Sequence, residues 1–249
     1  YQRNINVDLF TLVLIAAVVV MVGISKSAFA GALGVFAVPL LMLKLPATQA
    51  IALMLPILII GDMLTVKSYW RKWDSKLLLS LMPGAITGIS LTYFIIDLIN
   101  TAHLQLIISL ICIVFSLKNL LFKQATFTVF NNQISAFVMS TLSGITSSLV
   151  HAGGPPLIMY FSAIGLTPQK FIATASVFFA VLNIFKLIGV ASLGMLTINS
   201  VLTALAFVPL AFLGNWVGIK ISTSLNKQRF LTIMNYLLLL LGSWLLLTP

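Results

Sequence analysis

Acidic residues are almost absent from this chain. Four Asp and no Glu stand against 14 Lys and Arg in 249 residues. Charged residues make up 7% of the sequence, where a soluble domain carries roughly 25%. So few charges cannot cover a water-facing surface, and no stretch is long and polar enough to form a soluble domain. The whole of residues 1–249 therefore reads as a single transmembrane domain. There is one cysteine, Cys112, which excludes an intrachain disulfide and reads as a small hydrophobe packed mid-span. No nucleotide-binding P-loop occurs, so the chain carries no ATP motor of its own. Residues 1–8 lack a basic segment ahead of a short apolar core, so no cleavable signal peptide is expected. Clustered metal ligands and cofactor motifs are also missing, and neither a metal nor a cofactor is expected. The net charge of +10 would suggest nucleic acid in a soluble protein. Here the basic residues sit mostly in loops, where they set topology. The expected partners are membrane lipid and a small anionic solute, not nucleic acid, with homo-oligomerisation left open.

Apolar sequence, at 60% of the chain, fills the rest. A bilayer span needs about 20 apolar residues. Ten apolar segments are legible: 8–24, 31–45, 47–66, 76–97, 103–122, 132–149, 154–166, 168–190, 199–220 and 229–247, of which 31–45 and 154–166 are short. Basic residues gather at Lys67, Arg71, Lys72 and Lys76, at Lys118 and Lys123, at Lys170, and at Lys220, Lys227 and Arg229. These turns are expected in the cytoplasm. The turns near Asp97 and Ser192–Asn199 hold no Lys or Arg and are expected outside. Lys44 is the one basic residue on the outer side. Ten crossings satisfy this scheme, and so does an arrangement in which each short segment turns back beside its predecessor.

The chain also says one thing twice. Gly23-Ile24-Ser25-Lys26-Ser27 returns 121 positions later as Gly144-Ile145-Thr146-Ser147-Ser148. At the same offset Asp62 falls opposite Asn183 and Thr65 opposite Lys186. Pro83 and Gly88 match Pro209 and Gly214 at an offset of 126, the extra five positions being assigned to a longer loop around 191–198. The expected fold is an all-α polytopic membrane protein of two inverted-topology repeats, 8–122 and 132–247. Each repeat has a broken or re-entrant helix pair followed by full transmembrane helices. Paired interruptions at matching places in two halves point to a transporter's binding site.

The chemistry of the breaks favours an anion. Short helices are expected to start near Gly31 to Gly34 and at Gly153-Gly154-Pro155-Pro156. Pro155 or Pro156 suits a first helical turn, where its missing N–H costs nothing. Two helix starts converging near the midplane would offer free N–H groups and positive dipole ends, an anion site built mainly of backbone. Lys26 lies in the first break between Ser25 and Ser27. His151 lies in the second, after Ser147 and Ser148. Each has a plainer reading. Lys26 can snorkel from a shallow loop, His151 can close a helix end, the serines can bond back to the preceding turn, and the glycines can serve close helix packing. Asn183 shares a helix face with Lys186, so both join the candidate site. Asp62 either pairs with Lys67 or Lys186 for structure or, like His151, carries a coupling proton.

Three stretches resemble the sulfite exporter family TauE/SafE: Gly23-Ile24-Ser25-Lys26 through Phe29, Gly31 and Gly34 to Pro39; His151-Ala152-Gly153-Gly154-Pro155-Pro156 through Tyr160; and Phe178 through Asn183 to Lys186. The resemblance implies a permease of the prokaryotic cytoplasmic membrane for small anions such as sulfite or sulfoacetate, commonly moved outward. Ser27, Ala28, Ala30 and Ala32 stand where many relatives have further glycines, which narrows the first break. The expected function is secondary transport by alternating access, not catalysis. A passive anion channel would share the architecture. An intramembrane serine hydrolase using Ser147 or Ser148 with His151 is the remaining alternative, and it lacks a Gly-x-Ser-x-Gly elbow.

Overall fold

A computed structural model describes residues 8–95, 101–121, 132–150, 153–192 and 198–247. Every regular element among them is helical. The order is α1 Leu9–Phe29, a 3₁₀ turn Ala32–Phe36, α2 Ala37–Met42, α3 Ala47–Ser68, α4 Ser75–Ile95 and α5 Thr101–Leu121. It continues with α6 Gln133–Val150, α7 Gly154–Ala163, α8 Pro168–Ser192, α9 Ile198–Ala206, α10 Val208–Ser224 and α11 Lys227–Leu247. By length and composition, three helices among the described residues can cross a membrane: α1, α4 over Ser75–Thr92, and α8 over Pro168–Gly189. Large apolar side chains such as Leu79, Ile188 and Leu202 are exposed, as suits a surface whose solvent is hydrocarbon.

The expected segments largely become helices, with two differences. The segment 199–220 is two helices, interrupted at Phe207, with a proline in the first turn of α10. The first break also falls later than expected. α1 runs on through Gly23, Lys26 and Ser27 and stops where Ala30 (φ 51°) and Gly31 (φ 82°) turn left-handed. There the Gly31 N–H donates to the Ser25 carbonyl at 2.8 Å, a bond that closes a helix C-terminus. A single glycine inside a helix costs only about 1 kcal/mol, and Gly23 is used for packing instead of for breaking.

Both short helices return to where their hairpin began. Lys44, just beyond α2, lies 3.7 Å from the carboxylate of Asp8, which caps α1. Its Nζ also sits 4.9 Å from the ring centre of Phe10. In the second hairpin, Ile164 and Leu166 beyond α7 share one cleft with Asn132, Gln133 and Ala136 at the start of α6. Within the fold, each short helix thus runs back beside the helix that precedes it. Thr11 donates to Asp8 through both its hydroxyl and its N–H, which holds this exposed carboxyl below its ordinary range.

The tightest packing uses glycine at matched positions. α1 lies along α10, and α6 along α4. A Cβ on Gly23 would stand 3.0 Å from the Cα of Gly214, and one on Gly144 would stand 3.2 Å from the Cα of Gly88. α3 packs on α8, and α5 on α11, where Asn119 donates to Asn235 at 3.1 Å. Cys112 is fully buried near that contact, as its small apolar character suggested. The loop around 193–197 lies outside the described residues.

Gly88→Ala should lower the thermal midpoint in detergent, because the new Cβ would stand 2.2 Å from the Thr141 carbonyl oxygen. Overpacking of this kind costs about 1–3 kcal/mol. Gly34→Ala, where nothing lies within 4 Å of the new Cβ, should leave the midpoint unchanged or raise it.

Candidate functional site

Three helices bring charge together in the protein's interior. Lys26, in the last turns of α1, reaches the carboxylate of Asp62 on α3 at 2.6 Å. Asp62 is 0% exposed and Lys26 is 4% exposed. The other carboxylate oxygen of Asp62 accepts from Asn183 Nδ2 on α8 at 2.7 Å. One turn on, Lys186 donates to the backbone oxygen of Ser147 at 2.9 Å and to its hydroxyl at 3.3 Å. Such charges are expensive at membrane depth and persist only when paired or put to use.

Local sequence explains why these side chains reach one another. The stem of Lys26 passes over Gly61 of α3, where a Cβ would stand 3.5 Å from its Cγ, an ordinary contact distance. Asn183 and Lys186, three residues apart on α8, share a face with Phe179. The Phe179 ring centre lies 5.0 Å from the Lys26 ammonium, within cation–π range. α3 is anchored to its neighbours below Asp62. Thr65 accepts from Asn215 at 3.1 Å, and the Tyr69 hydroxyl bonds Ser222 and donates to the Ser27 carbonyl at 3.0 Å.

A cavity of about 50 Å³ lies against this cluster. One water molecule needs about 10–15 Å³ on the same measure, so the space suits a small solute. The first hairpin contributes Lys26, Gly31 and Gly34, and the second contributes Ser147, Gly153, Gly154 and Pro155. α8 adds Asn183 and Lys186. Residues 15–245 match the family described as Sulfite exporter TauE/SafE. The chain belongs to the TauE/SafE family. No curated protein and no solved structure matches it. As a TauE/SafE protein it falls in a family of membrane transporters.

Other expected site residues of this TauE/SafE chain lie elsewhere. Ser27 is buried but donates to Gly23 O at 2.8 Å and Asn215 O at 3.0 Å. Ser148 donates to Gly144 O at 3.0 Å. Neither lines the cavity, because a hydroxyl inside a helix finds the carbonyl one turn back. Ser25 is also turned away from it, accepting the Leu33 N–H at 2.8 Å. His151 lies outside the described residues. Asp62 pairs with Lys26 on α1, where the sequence had offered Lys67 or Lys186.

Four backbone positions of the two hairpins offer no free donor. At the first hairpin the N–H of Leu33 is taken by Ser25 and that of Gly34 by Gly31 O at 2.9 Å. At the second, Pro155 and Pro156 carry no N–H. The side chains of Lys26 and Lys186 bring two formal positive charges to the cavity. Sequence reasoning missed Met54, Leu58 and Phe179, which also line it. The signal was available: Met54, Leu58 and Asp62 recur at four-residue spacing, and Leu58 falls opposite Phe179 at the repeat offset.

Lys26→Met should destabilise the protein by about 3–5 kcal/mol, because it leaves Asp62 buried without its counter-charge. Adding Asp62→Asn to that variant should recover most of the loss. Thermal unfolding in detergent reads both, and strictly additive losses would show that the two residues are not coupled.

Proposed function

We propose that this TauE/SafE protein is a secondary transporter of small sulfur oxyanions or organosulfonates, sulfite and sulfoacetate among them, in the prokaryotic cytoplasmic membrane. The observation that carries this reading is the pair of buried ammonium groups, Lys26 and Lys186, brought from the two halves of the chain to one small cavity. A point charge in a low-dielectric site binds an anion far more strongly than in water. The substrate class comes from the family.

Two inverted repeats, 8–122 and 132–247, form the proposed framework. Asp62 and Asn183, which are 121 positions apart, touch each other. Each lies 15 residues beyond the first residue of its helix, Ala47 or Pro168, about 22 Å at the α-helical rise. Entering from opposite faces, the two helices would meet near the middle of a bilayer roughly 40–45 Å thick with its headgroups. The matched contacts Gly23–Gly214 and Gly144–Gly88 support the same symmetry.

In this topology α1 and α2 form a hairpin from the outside, and α6 and α7 form one from the cytoplasm. The helices assigned as full crossings are α3, α4, α5, α8, the α9–α10 pair and α11, while α1, itself long enough to cross, is paired with α2 in the hairpin. The basic turns at Lys67–Lys76, Lys170 and Lys220–Arg229 then share the cytoplasmic side. The charge of Lys44 on the outer side is partnered by Asp8. A cavity held between two hairpin tips favours alternating access over a continuously open pore.

Reconstituted protein should carry sulfite or sulfoacetate into liposomes faster than protein-free vesicles do. Lys186→Gln should slow that flux roughly 10- to 100-fold, the value of a hydrogen bond from a charged donor. Flux of both anions at the protein-free rate, from a folded sample, would reject the substrate class.

A further inference from the structure

Three charged side chains stand at the cavity among the described residues, and they do not cancel. Lys26 and Lys186 line it, and Asp62 lies behind Lys26 in direct contact. Among the described residues the further hydrogen-bond partner of Asp62 is neutral, Asn183 from α8, and the nearby Thr65 on its own helix is bonded by the neutral Asn215 of α10. Lys67 is at the exposed end of α3. His151 lies outside the described residues. With all three groups ionised the cluster carries one net positive charge. In a water-poor interior an uncompensated charge is penalised by several kcal/mol, so the occupant that removes that charge is favoured.

We propose that Asp62 sets the valence of the transported anion: the ionised cluster accepts one monovalent oxyanion, and a divalent oxyanion enters only together with a proton on Asp62. This rests on the transporter reading above and deepens it. A monovalent sulfonate brings the cluster to neutrality, and no proton moves. A divalent ion would leave it at one net negative charge. Protonating Asp62 restores balance, one proton taken up for each divalent ion bound. The protonated carboxyl keeps one oxygen to accept from Asn183 and frees the Lys26 ammonium to face the second charge of the solute.

Methanesulfonate and sulfate are matched probes, similar in head group and differing in valence. Their binding to the purified full chain is measured by calorimetry between about pH 6 and pH 8, in buffers of different ionisation enthalpy that report protons taken up. Methanesulfonate should bind with no proton uptake and a flat pH profile. Sulfate should bind more weakly, take up about one proton, and tighten about tenfold for each pH unit lowered while Asp62 is ionised in the free protein. Asp62→Asn, which fixes the neutral form, should reverse the preference and make sulfate binding independent of pH.

Proton uptake with methanesulfonate, or identical pH profiles for the two ions, overturns the proposal. So does a folded Asp62→Asn protein that still prefers methanesulfonate. If that variant does not fold, the comparison of the two ions on the unaltered protein decides alone. Absence of binding by methanesulfonate, sulfate and sulfite removes the anion site itself, and the transporter reading falls with this one.

Discussion

The Lys26–Asp62 ion pair is the contact on which the interior depends. It joins the end of α1 to the middle of α3, and through Asn183 it joins both to α8. Replacing a buried pair of this kind with apolar residues is often neutral or stabilising, whereas removing one partner is strongly destabilising. Packing alone therefore does not account for it, and use offers a better reason. Lys26 faces the carboxylate on one side and the cavity on the other, so its charge is available only in competition with Asp62.

The packing around this pair is arranged to hold helices close without making them rigid throughout. α1 against α10 and α6 against α4 approach through glycine, where backbone meets backbone and a single methyl group would collide. Lipid tails are as apolar as the helices, so close van der Waals contact supplies what the hydrophobic effect supplies in water. The hairpin tips are held differently. The first is closed by the left-handed pair Ala30 and Gly31 and by the Ser25–Leu33 bond. The second is tied by Ser143 donating to the Gly153 carbonyl at 2.6 Å.

Much of this was legible in sequence because glycine, proline and charge are rare and conspicuous in an apolar chain. Gly23, Gly88, Gly144 and Gly214 stood out in the sequence and lie at the closest helix contacts, and Pro155 marked the start of α7. Asn183 and Lys186 could be placed on one face by spacing alone. What was not legible follows from long-range pairing. Nothing local in the chain says that Asp62 meets Lys26, which is 36 positions earlier, in preference to Lys67 on its own helix. Ser27 and Ser148 looked like ligands because they flank the breaks. Both instead bond back to Gly23 and Gly144, carbonyls related by the same offset. The position of the first break was missed because Gly23, the obvious helix-breaking candidate, serves contact with α10, while Ala30 takes the left-handed turn.

The two ammonium groups at the cavity bear on what kind of selectivity a site there can have. Backbone N–H groups at a helix start are directional and fixed, so they read the shape and oxygen spacing of an anion. An ammonium on a flexible stem acts as a point charge. Two prolines at the start of α7 and two satisfied N–H groups in the first hairpin remove donors that would have imposed a head-group geometry. What remains senses size, through the narrow cavity between Phe179 and the hairpin tips, and total charge, through Lys26, Lys186 and Asp62. On the proposed reading, a site of this composition would tolerate variation in head-group chemistry among small oxyanions. Charge balance is its sharper criterion, because an error of one unit in a low-dielectric interior outweighs the loss of any single hydrogen bond.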